Sequence, residues 1–274
     1  MQPVLRVCSL YPDLMNIYAD RGNLIVLERR CSWRGIAFEL TELGLGQQLH
    51  PDAHELIYLG GGQDQDQLTC AEDLLAVKGQ ALRQAAEAGV LILGVCGGYQ
   101  LLGHSYEISA ERRIEGLGLL DAWTVRGSGQ RLIGNIAIEL ELDAAREGAP
   151  QPHASPQPHA GPQAHTSAEA HATPQPRVLA GFENHGGRTH LGSGQAPLGR
   201  VLRGHGNDGR SGFEGARTRN VIGTYLHGPL LPKNAWFADW LIATALGVRP
   251  DQLPPLDDAL EQQAHLCARR AAGV

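Results

Sequence analysis

Residues 90–102 read VLILGVCGGYQLL and place a cysteine among glycines where an apolar run passes into a helix-forming one. The run at 90–93 predicts a strand buried on both faces, and residues 99–102 predict the start of a helix. A strand that turns at once into a helix strains its corner residue, and only neighbours without a β-carbon leave room for that corner. The pattern therefore predicts a nucleophile elbow with Cys96 at its tip.

Cys96 lies at the N-terminus of this predicted helix, where unpaired backbone N–H groups and the helix dipole favour the thiolate. The next N–H, on Gly97, is in position to face a developing oxyanion. The alternative is a buried structural cysteine, which is common when a cysteine stands alone. The strand, elbow and helix around Cys96 favour the nucleophile.

Bulk composition narrows the classes of protein that this chain can belong to. A chain of 274 residues with a net charge of −6 and no basic block gives no indication of nucleic-acid binding. Its cysteines are odd in number, widely spaced and never in a C-x-x-C pair, which argues against a disulfide framework and a zinc cage. The cysteine usage predicts a reducing compartment, and the lack of a signal-like or long apolar stretch predicts a cytoplasmic location.

The first hundred residues alternate between strand-like and helix-like segments. Such alternation predicts an α/β fold with a parallel sheet and crossover helices. The predicted strands are 4–10, 36–40, 56–59 and 90–93, and the predicted helices are 24–34, with Asn23 as its N-cap, and 68–88.

Three glycines, at residues 60–62, directly follow the third predicted strand. Backbone N–H groups in such a stretch can approach a ligand closely and could form the second half of an oxyanion site. A flexible turn is the alternative. Farther on, Arg131 lies in a polar, glycine-bearing loop; it is either a solvated surface charge or a guanidinium fork for a substrate carboxylate.

The second half of the chain predicts shorter β segments and two closing helices. The β segments are 122–125, 133–142, a strand and turn within 178–188, 199–206 and 220–225, and the helices are 235–246 and one from about 256. Residues 148–176 are rich in proline and alanine, with histidines at 153, 159, 165 and 171, and have almost no apolar side chains. They predict a disordered insertion in one domain of residues 1–274, without a metal site.

A cysteine at an elbow needs a histidine to act as base and then as acid in thiolate acyl transfer. His227 is the preferred candidate because it ends an apolar strand, and ligands of open α/β sheets gather at that edge. His185 is second, as a structural or substrate-binding residue. The other candidates are His104, His190 and His205.

Three segments, GVCGGYQLLG, GFENHGGRT and GTYLHGPLLPKN, together resemble the class I glutamine amidotransferases of the cobyric acid synthase type. The likeness extends to the glutaminase subunits that serve a Mur-ligase-like partner (MurT), and it covers nearly the whole chain outside 148–176. It implies a flavodoxin-like, mostly parallel sheet flanked by helices, and a heterodimer that forms D-isoglutamine in lipid II.

The resemblance implies a role for each candidate residue. Cys96 attacks the side-chain amide of glutamine, His227 is base and acid, Gly61 and Gly97 supply oxyanion N–H groups, and Arg131 holds the substrate. No cofactor is implied for this chain, which has no nucleotide-binding motif; ATP and Mg²⁺ belong to the partner. The class completes its triad with a glutamate where this chain has Pro229, so Glu183, a backbone carbonyl or nothing orients His227.

Three other functions stay open at this point. The chain could serve another acceptor, such as a corrin-like acid. It could be a non-catalytic scaffold that kept the fold, which the presence of both Cys96 and His227 argues against. It could also be an elbow-cysteine hydrolase of the peptidase or chaperone kind, which has no use for the Arg131 loop.

Overall fold

The computed structural model describes residues 2–17, 20–140 and 177–274 and contains a central six-stranded sheet. Across the sheet the strands are β13 (Ala216–Thr218), β14 (Val221–Thr224), β4 (Leu91–Val95), β3 (Leu56–Leu59), β1 (Val4–Leu10) and β2 (Ala37–Leu43). All neighbours pair in parallel except β13, which runs antiparallel to β14 at one edge. The parallel order 2-1-3-4-14 follows the flavodoxin-like pattern, so the predicted fold class is confirmed.

Two four-stranded sheets are built from the segments between β4 and β13. One contains, in order, β10 (Gly187–Leu191), β7 (Ala122–Arg126), β5 (Ser105–Ser109) and β6 (Arg112–Glu115). The other contains β12 (Phe213–Glu214), β11 (Gly199–Arg203), β8 (Leu132–Leu140) and β9 (Val178–His185). The single strand and turn predicted within 178–188 are therefore two strands, and β5 and β6 had no counterpart among the predicted segments.

The helices lie close to their predicted positions. They are α1 (Arg21–Trp33), α2 (Asp64–Asp73), α3 (Gly79–Glu87), α4 (Gly97–Leu102), α5 (Ala235–Ala245) and α6 (Ala259–Ala272). A π-helical turn, Leu74–Lys78, joins α2 to α3, so the helix predicted at 68–88 begins four residues earlier. Asp64 and Asp66 occupy the first turn of α2, where acidic side chains interact favourably with the helix dipole.

Asn23 is not the N-cap of α1, and this prediction was wrong. The helix begins at Arg21 with Asp20 as its N-cap, and the Asn23 side chain makes tertiary contacts instead. Its Nδ2 donates to the Tyr58 hydroxyl at 3.0 Å, and its Oδ1 accepts from the Leu231 N–H at 2.8 Å. These bonds tie the first turn of α1 to β3 and to the segment after β14.

The central sheet separates two apolar clusters. On one face, α1 and α5 pack against side chains such as Leu5, Val7 and Tyr58; on the other, α2 and α3 pack against Ile57 and Leu59. Every residue of β3 and β4 is buried, as expected for strands covered on both faces.

The carboxyl ends of β3, β4 and β14 are neighbours, because these strands are adjacent and parallel. Residues 60–62, Cys96 and the segment that carries His227 therefore meet at one edge of the sheet. The predicted insertion at 148–176 lies outside the described residues. Within the described ranges, no helix is both long and apolar enough to cross a membrane.

Candidate active site

Cys96 lies at a strained corner between β4 and α4. Its φ of 54° and ψ of −105° are sparsely populated for a residue with a side chain. The tight turn needs glycine on both sides: a β-carbon on Gly94 would lie 2.6 Å from Leu102 Cδ1, and one on Gly98 would lie 2.4 Å from the Leu59 carbonyl oxygen. The backbone has the predicted elbow geometry.

The Cys96 side chain is half-buried and lines a cavity of about 630 Å³, which is within the usual size range of small-molecule sites. We call this space the Cys96 cavity. Besides Cys96 it is lined by Gly62, Gln67, Gln100, Arg131, Asn184 and His185, among others. Two segments far apart in sequence therefore face the elbow, one after β3 and one at the end of β9.

The thiol, and not the thiolate, is the favoured form of Cys96, contrary to the prediction from the helix N-terminus. Burial and the nearby Asp20 carboxylate raise the pKa of the thiol to about 12. A hydrogen bond from the Gly97 N–H and the charge of Arg131 lower the pKa but do not offset the burial. The α4 helix has only six residues, so its dipole is small.

The N–H of Gly61 does not point into the Cys96 cavity. It donates to Asp20 Oδ2 at 2.7 Å, so an oxyanion has no access to it in this conformation. Gly62, and not Gly61, lines the cavity, and its N–H donates no hydrogen bond within the described part of the chain. A β-carbon on Gly97 would lie only 2.9 Å from the Gly62 nitrogen, which shows how closely the two loops approach.

Arg131 is held in the wall of the cavity and is not a free surface charge. Its Nε donates to Asn184 Oδ1 at 2.8 Å, and its Nη2 donates to the Asn184 carbonyl oxygen at 2.7 Å. These bonds use one edge of the guanidinium fork and fix its plane. An arginine fixed in this way is suited to bind a carboxylate with its remaining N–H groups.

His227 follows β14 and is fully buried. Its backbone pairs with Phe182 of β9 through two hydrogen bonds, of 2.9 and 3.1 Å, and its Nε2 accepts from the Asn184 N–H at 3.2 Å. Burial, together with the neighbouring charges of His185, Lys233 and Arg131, lowers the pKa of the imidazole to about 4. A neutral imidazole is the form that can accept a proton.

His185 and Glu183 lie nearby but have other contacts. The ring of His185 stacks on Tyr225 with centroids 3.7 Å apart, and its Nδ1 is 2.9 Å from the Gly187 carbonyl oxygen. Glu183 accepts from the N–H groups of His205 and Gly206 through its two oxygens. The carboxylate of Glu183 thus fixes a backbone turn.

Sequence reasoning missed three residues of this site. Asp20 was not among the candidate residues of the sequence analysis, and its bond to Gly61 spans 41 residues. Asn184 holds both Arg131 and His227 but looked like part of a flexible turn. Gln100 had a usable signal, because it lies four residues after Cys96 on a short helix, and its Nε2 donates to the Tyr225 hydroxyl.

A flavodoxin-like sheet with a cysteine elbow at its carboxyl edge and a histidine after the neighbouring strand defines a class of cysteine-dependent acyl-transfer enzymes. The sequence model of the CobB/CobQ-like glutamine amidotransferase domain matches residues 6–235. The chain belongs to this family of glutamine amidotransferases.

Two relatives match nearly the full length of the chain. It is 34% identical to the lipid II isoglutaminyl synthase (glutamine-hydrolyzing) subunit GatD of Streptococcus pneumoniae, over 94% of this chain and 88% of that protein. It is 33% identical to the same subunit of Staphylococcus aureus, over 95% of this chain and 93% of that protein.

More distant likenesses agree with the family. A probable cobyric acid synthase of Methanopyrus kandleri is 35% identical over 53% of this chain, which is 25% of that protein. The structure of PurLQS from Thermotoga maritima aligns with a TM-score of 0.53 and 20% identity over 97% of this chain and 99% of that one. That last likeness supports the fold alone.

Proposed function

We propose that the chain is the glutamine-hydrolysing subunit of a lipid II isoglutaminyl synthase and works in the cytoplasm with a Mur-ligase-like partner of the MurT type. The observation that carries the proposal is Cys96 at a strained elbow, opening into a cavity whose wall holds the Arg131 guanidinium. The names of the two full-length relatives supply the acceptor. The partner binds ATP and Mg²⁺ and activates the D-glutamate α-carboxyl; this chain delivers ammonia.

In the proposed reaction, Arg131 binds the α-carboxylate of glutamine and directs the side-chain amide towards Cys96. The sulfur attacks the amide carbon while its proton passes to His227, and the oxyanion of the tetrahedral intermediate accepts hydrogen bonds from backbone N–H groups that include that of Gly97. His227 returns the proton to the amide nitrogen, which leaves as ammonia. Water then hydrolyses the glutamyl thioester to glutamate and free thiol.

The protonation states before reaction are a thiol and a neutral imidazole. The pKa of Cys96 is raised to about 12 and that of His227 is lowered to about 4, so a thiolate–imidazolium pair is strongly disfavoured at neutral pH. Proton transfer must therefore accompany attack, or a change in the site must first bring the two pKa values together. Control by the partner subunit is consistent with such a resting state.

Among the described residues, Glu183 is not assigned to orient His227. Glu183 was one candidate, but both of its oxygens accept from the backbone of residues 205 and 206. The Asn184 N–H, which donates to Nε2, leaves Nδ1 as the nitrogen that carries the proton in the neutral ring. The imidazole must release this bond before the free lone pair of Nε2 can take the thiol proton.

The test is ammonia release from glutamine by the purified chain, with and without the Mur-ligase-like partner. Cys96→Ala is compared with Cys267→Ala, because Cys267 is exposed in α6 and has no place in the cavity. We expect release that depends on Cys96, is unaffected at Cys267 and rises with the partner. No release from folded wild type in the complex would refute the glutaminase, and amidation of a corrin-like acid instead of lipid II would refute the acceptor.

A further inference from the structure

Asp20 is a buried carboxylate with no role in the reaction as described so far. Its side chain is 1% exposed, at the N-terminus of α1. Oδ2 accepts from the Gly61 N–H, and Oδ1 has no hydrogen-bond partner among the described residues. A buried carboxylate oxygen without a partner is costly, so the position calls for an explanation beyond packing.

The carboxylate lies next to the nucleophile. A β-carbon on Gly61 would be 3.1 Å from Asp20 Oδ2, 3.3 Å from Cys96 Cβ and 3.8 Å from Cys96 Sγ. The acid and the thiol therefore lie on the same side of Gly61, each within 4 Å of the position that its β-carbon would take. A side chain at Gly61 would disturb both groups at once.

Four hydrogen bonds hold residues 60–62 in place, and Asp20 accepts one of them. The Gly60 carbonyl accepts from the Gly98 N–H, and the Gly61 carbonyl accepts from the Ile17 N–H. The Gly62 carbonyl accepts from Gln67 Nε2. With the Gly61 N–H on Asp20, these bonds leave the Gly62 N–H in the cavity wall, beside the Gly97 backbone and without an acceptor among the described residues.

We propose that Asp20 is a positioning residue of the glutaminase site: its carboxylate fixes residues 60–62 so that the Gly62 N–H serves as the second oxyanion donor, and its charge disfavours the Cys96 thiolate. The proposal rests on the glutaminase function proposed above. In this assignment Gly62, and not Gly61, donates to the oxyanion. The Gly61 N–H instead binds the Asp20 carboxylate.

The electrostatic part agrees with the direction of each pKa. Burial raises the pKa of Asp20 to about 7, against the lowering effect of the Gly61 N–H, so this carboxyl ionises near neutral pH. Asp20 is the first charge, after burial, that raises the pKa of Cys96. Among the described residues, the groups whose charges act on the thiol include Asp20 at α1, Asp64 at α2 and Arg131 before β8, and the thiol in turn acts on Tyr58 of β3 and Tyr225 after β14.

The first test is the pH dependence of alkylation of Cys96 by iodoacetamide, followed by peptide mass spectrometry with the exposed Cys267 as internal reference. Ionisation of Asp20 between pH 6 and 8 should hold back thiolate formation, so the wild-type rate should rise less than about tenfold per pH unit. In Asp20→Asn the rate should rise about tenfold per unit and exceed wild type on the order of tenfold at pH 8.

Asp64→Asn is the matched control, because the Asp64 carboxylate faces the same cavity but is 46% exposed and screened by water. It should shift the alkylation profile less than Asp20→Asn does. A wild-type profile that is already linear at tenfold per unit, or an equal shift in the two variants, would overturn the electrostatic part. This readout does not depend on glutamine turnover, so it stands apart from failure of the proposed function.

The second test compares Asp20→Asn with Asp20→Ala in glutamine hydrolysis by the complex. Both variants lack the charge, but only the asparagine keeps an oxygen that can accept from the Gly61 N–H. We expect kcat of the alanine variant to be at least about tenfold below that of the asparagine variant, with similar KM, because an oxyanion donor acts in the transition state. Equal kcat values in two folded variants would overturn the positioning role.

Discussion

Replacement of Arg131 tests the assignment of the substrate-binding residue most directly. In the structure the guanidinium is aligned by Asn184, through Nε at 2.8 Å and Nη2 at 2.7 Å, and faces the Cys96 cavity. Arg131→Ala removes the charge and the fork, whereas Arg131→Lys keeps the charge without a fork that Asn184 can hold. The two variants separate attraction of the substrate carboxylate from its orientation.

The expected effect follows from the bonds that are lost. Hydrogen bonds to charged groups contribute about 1.5–3 kcal/mol each, and 1.4 kcal/mol is a factor of ten. Arg131→Ala should therefore lower kcat/KM for glutamine by about 10- to 150-fold for each hydrogen bond to the α-carboxylate that is lost. Most of the change should appear in KM, because the α-carboxylate is bound equally in the ground and transition states. Arg131→Lys should fall between alanine and wild type.

Glutamate formation in a coupled assay measures these constants, and a thermal melt shows that each variant is folded. Arg113→Ala is the control: Arg113 is an exposed arginine on β6 that pairs with Glu115 and does not line the cavity. An Arg131→Ala protein with wild-type KM and kcat would contradict the reasoning and return Arg131 to the surface charges.

Three further outcomes are expected. Gly94→Ala should lower stability by about 2 kcal/mol in urea unfolding, because its β-carbon would lie 2.6 Å from Leu102 Cδ1; an unchanged midpoint would contradict the packing. The folded-state pKa of His227, about 4, is below the unfolded value of about 6.5, so stability that is present above pH 6.5 is lost as the pH falls. Between pH 7.5 and 5 the free energy of unfolding of wild type should therefore fall by about 2 kcal/mol more than that of His227→Asn. Equal losses in the two proteins would contradict the pKa shift. Deletion of residues 148–176 should leave folding and glutamine turnover intact, because each doubling of loop length costs only about 0.6 kcal/mol. Loss of either property would refute the interpretation of this segment as a disordered insertion.

The five parallel strands of the central sheet could be predicted because each of them carries a local signal, whereas the short antiparallel edge strand β13 was not predicted. The apolar runs at Val4–Leu10 and Leu56–Leu59 match the observed strands to the residue, and the cysteine elbow follows from glycine spacing alone. By contrast, β5 and β6 have only five and four residues, most of them polar and without a regular alternation of buried and exposed positions, so their sequences cannot be distinguished from a loop.

The parts of the site that could not be predicted depend on long-range contacts. The bond from Gly61 to Asp20 and the cradle of Arg131 on Asn184 join residues 41 and 53 positions apart, and neither has a periodic signature. The protonation of Cys96 was predicted wrongly for a related reason. The helix N-terminus is visible in the sequence, but burial and the Asp20 charge, which outweigh it, exist only in the folded chain.

The first turn of α1 contacts both the loop beside Cys96 and the segment that follows His227. Asp20, beside Cys96, begins this turn, and three residues later Asn23 holds the Leu231 N–H of the segment that follows His227. Pro229 packs so closely on Gly22 that a β-carbon there would lie 2.8 Å from its Cγ. A displacement of this turn would therefore move the loop beside Cys96 and the segment after His227 at the same time.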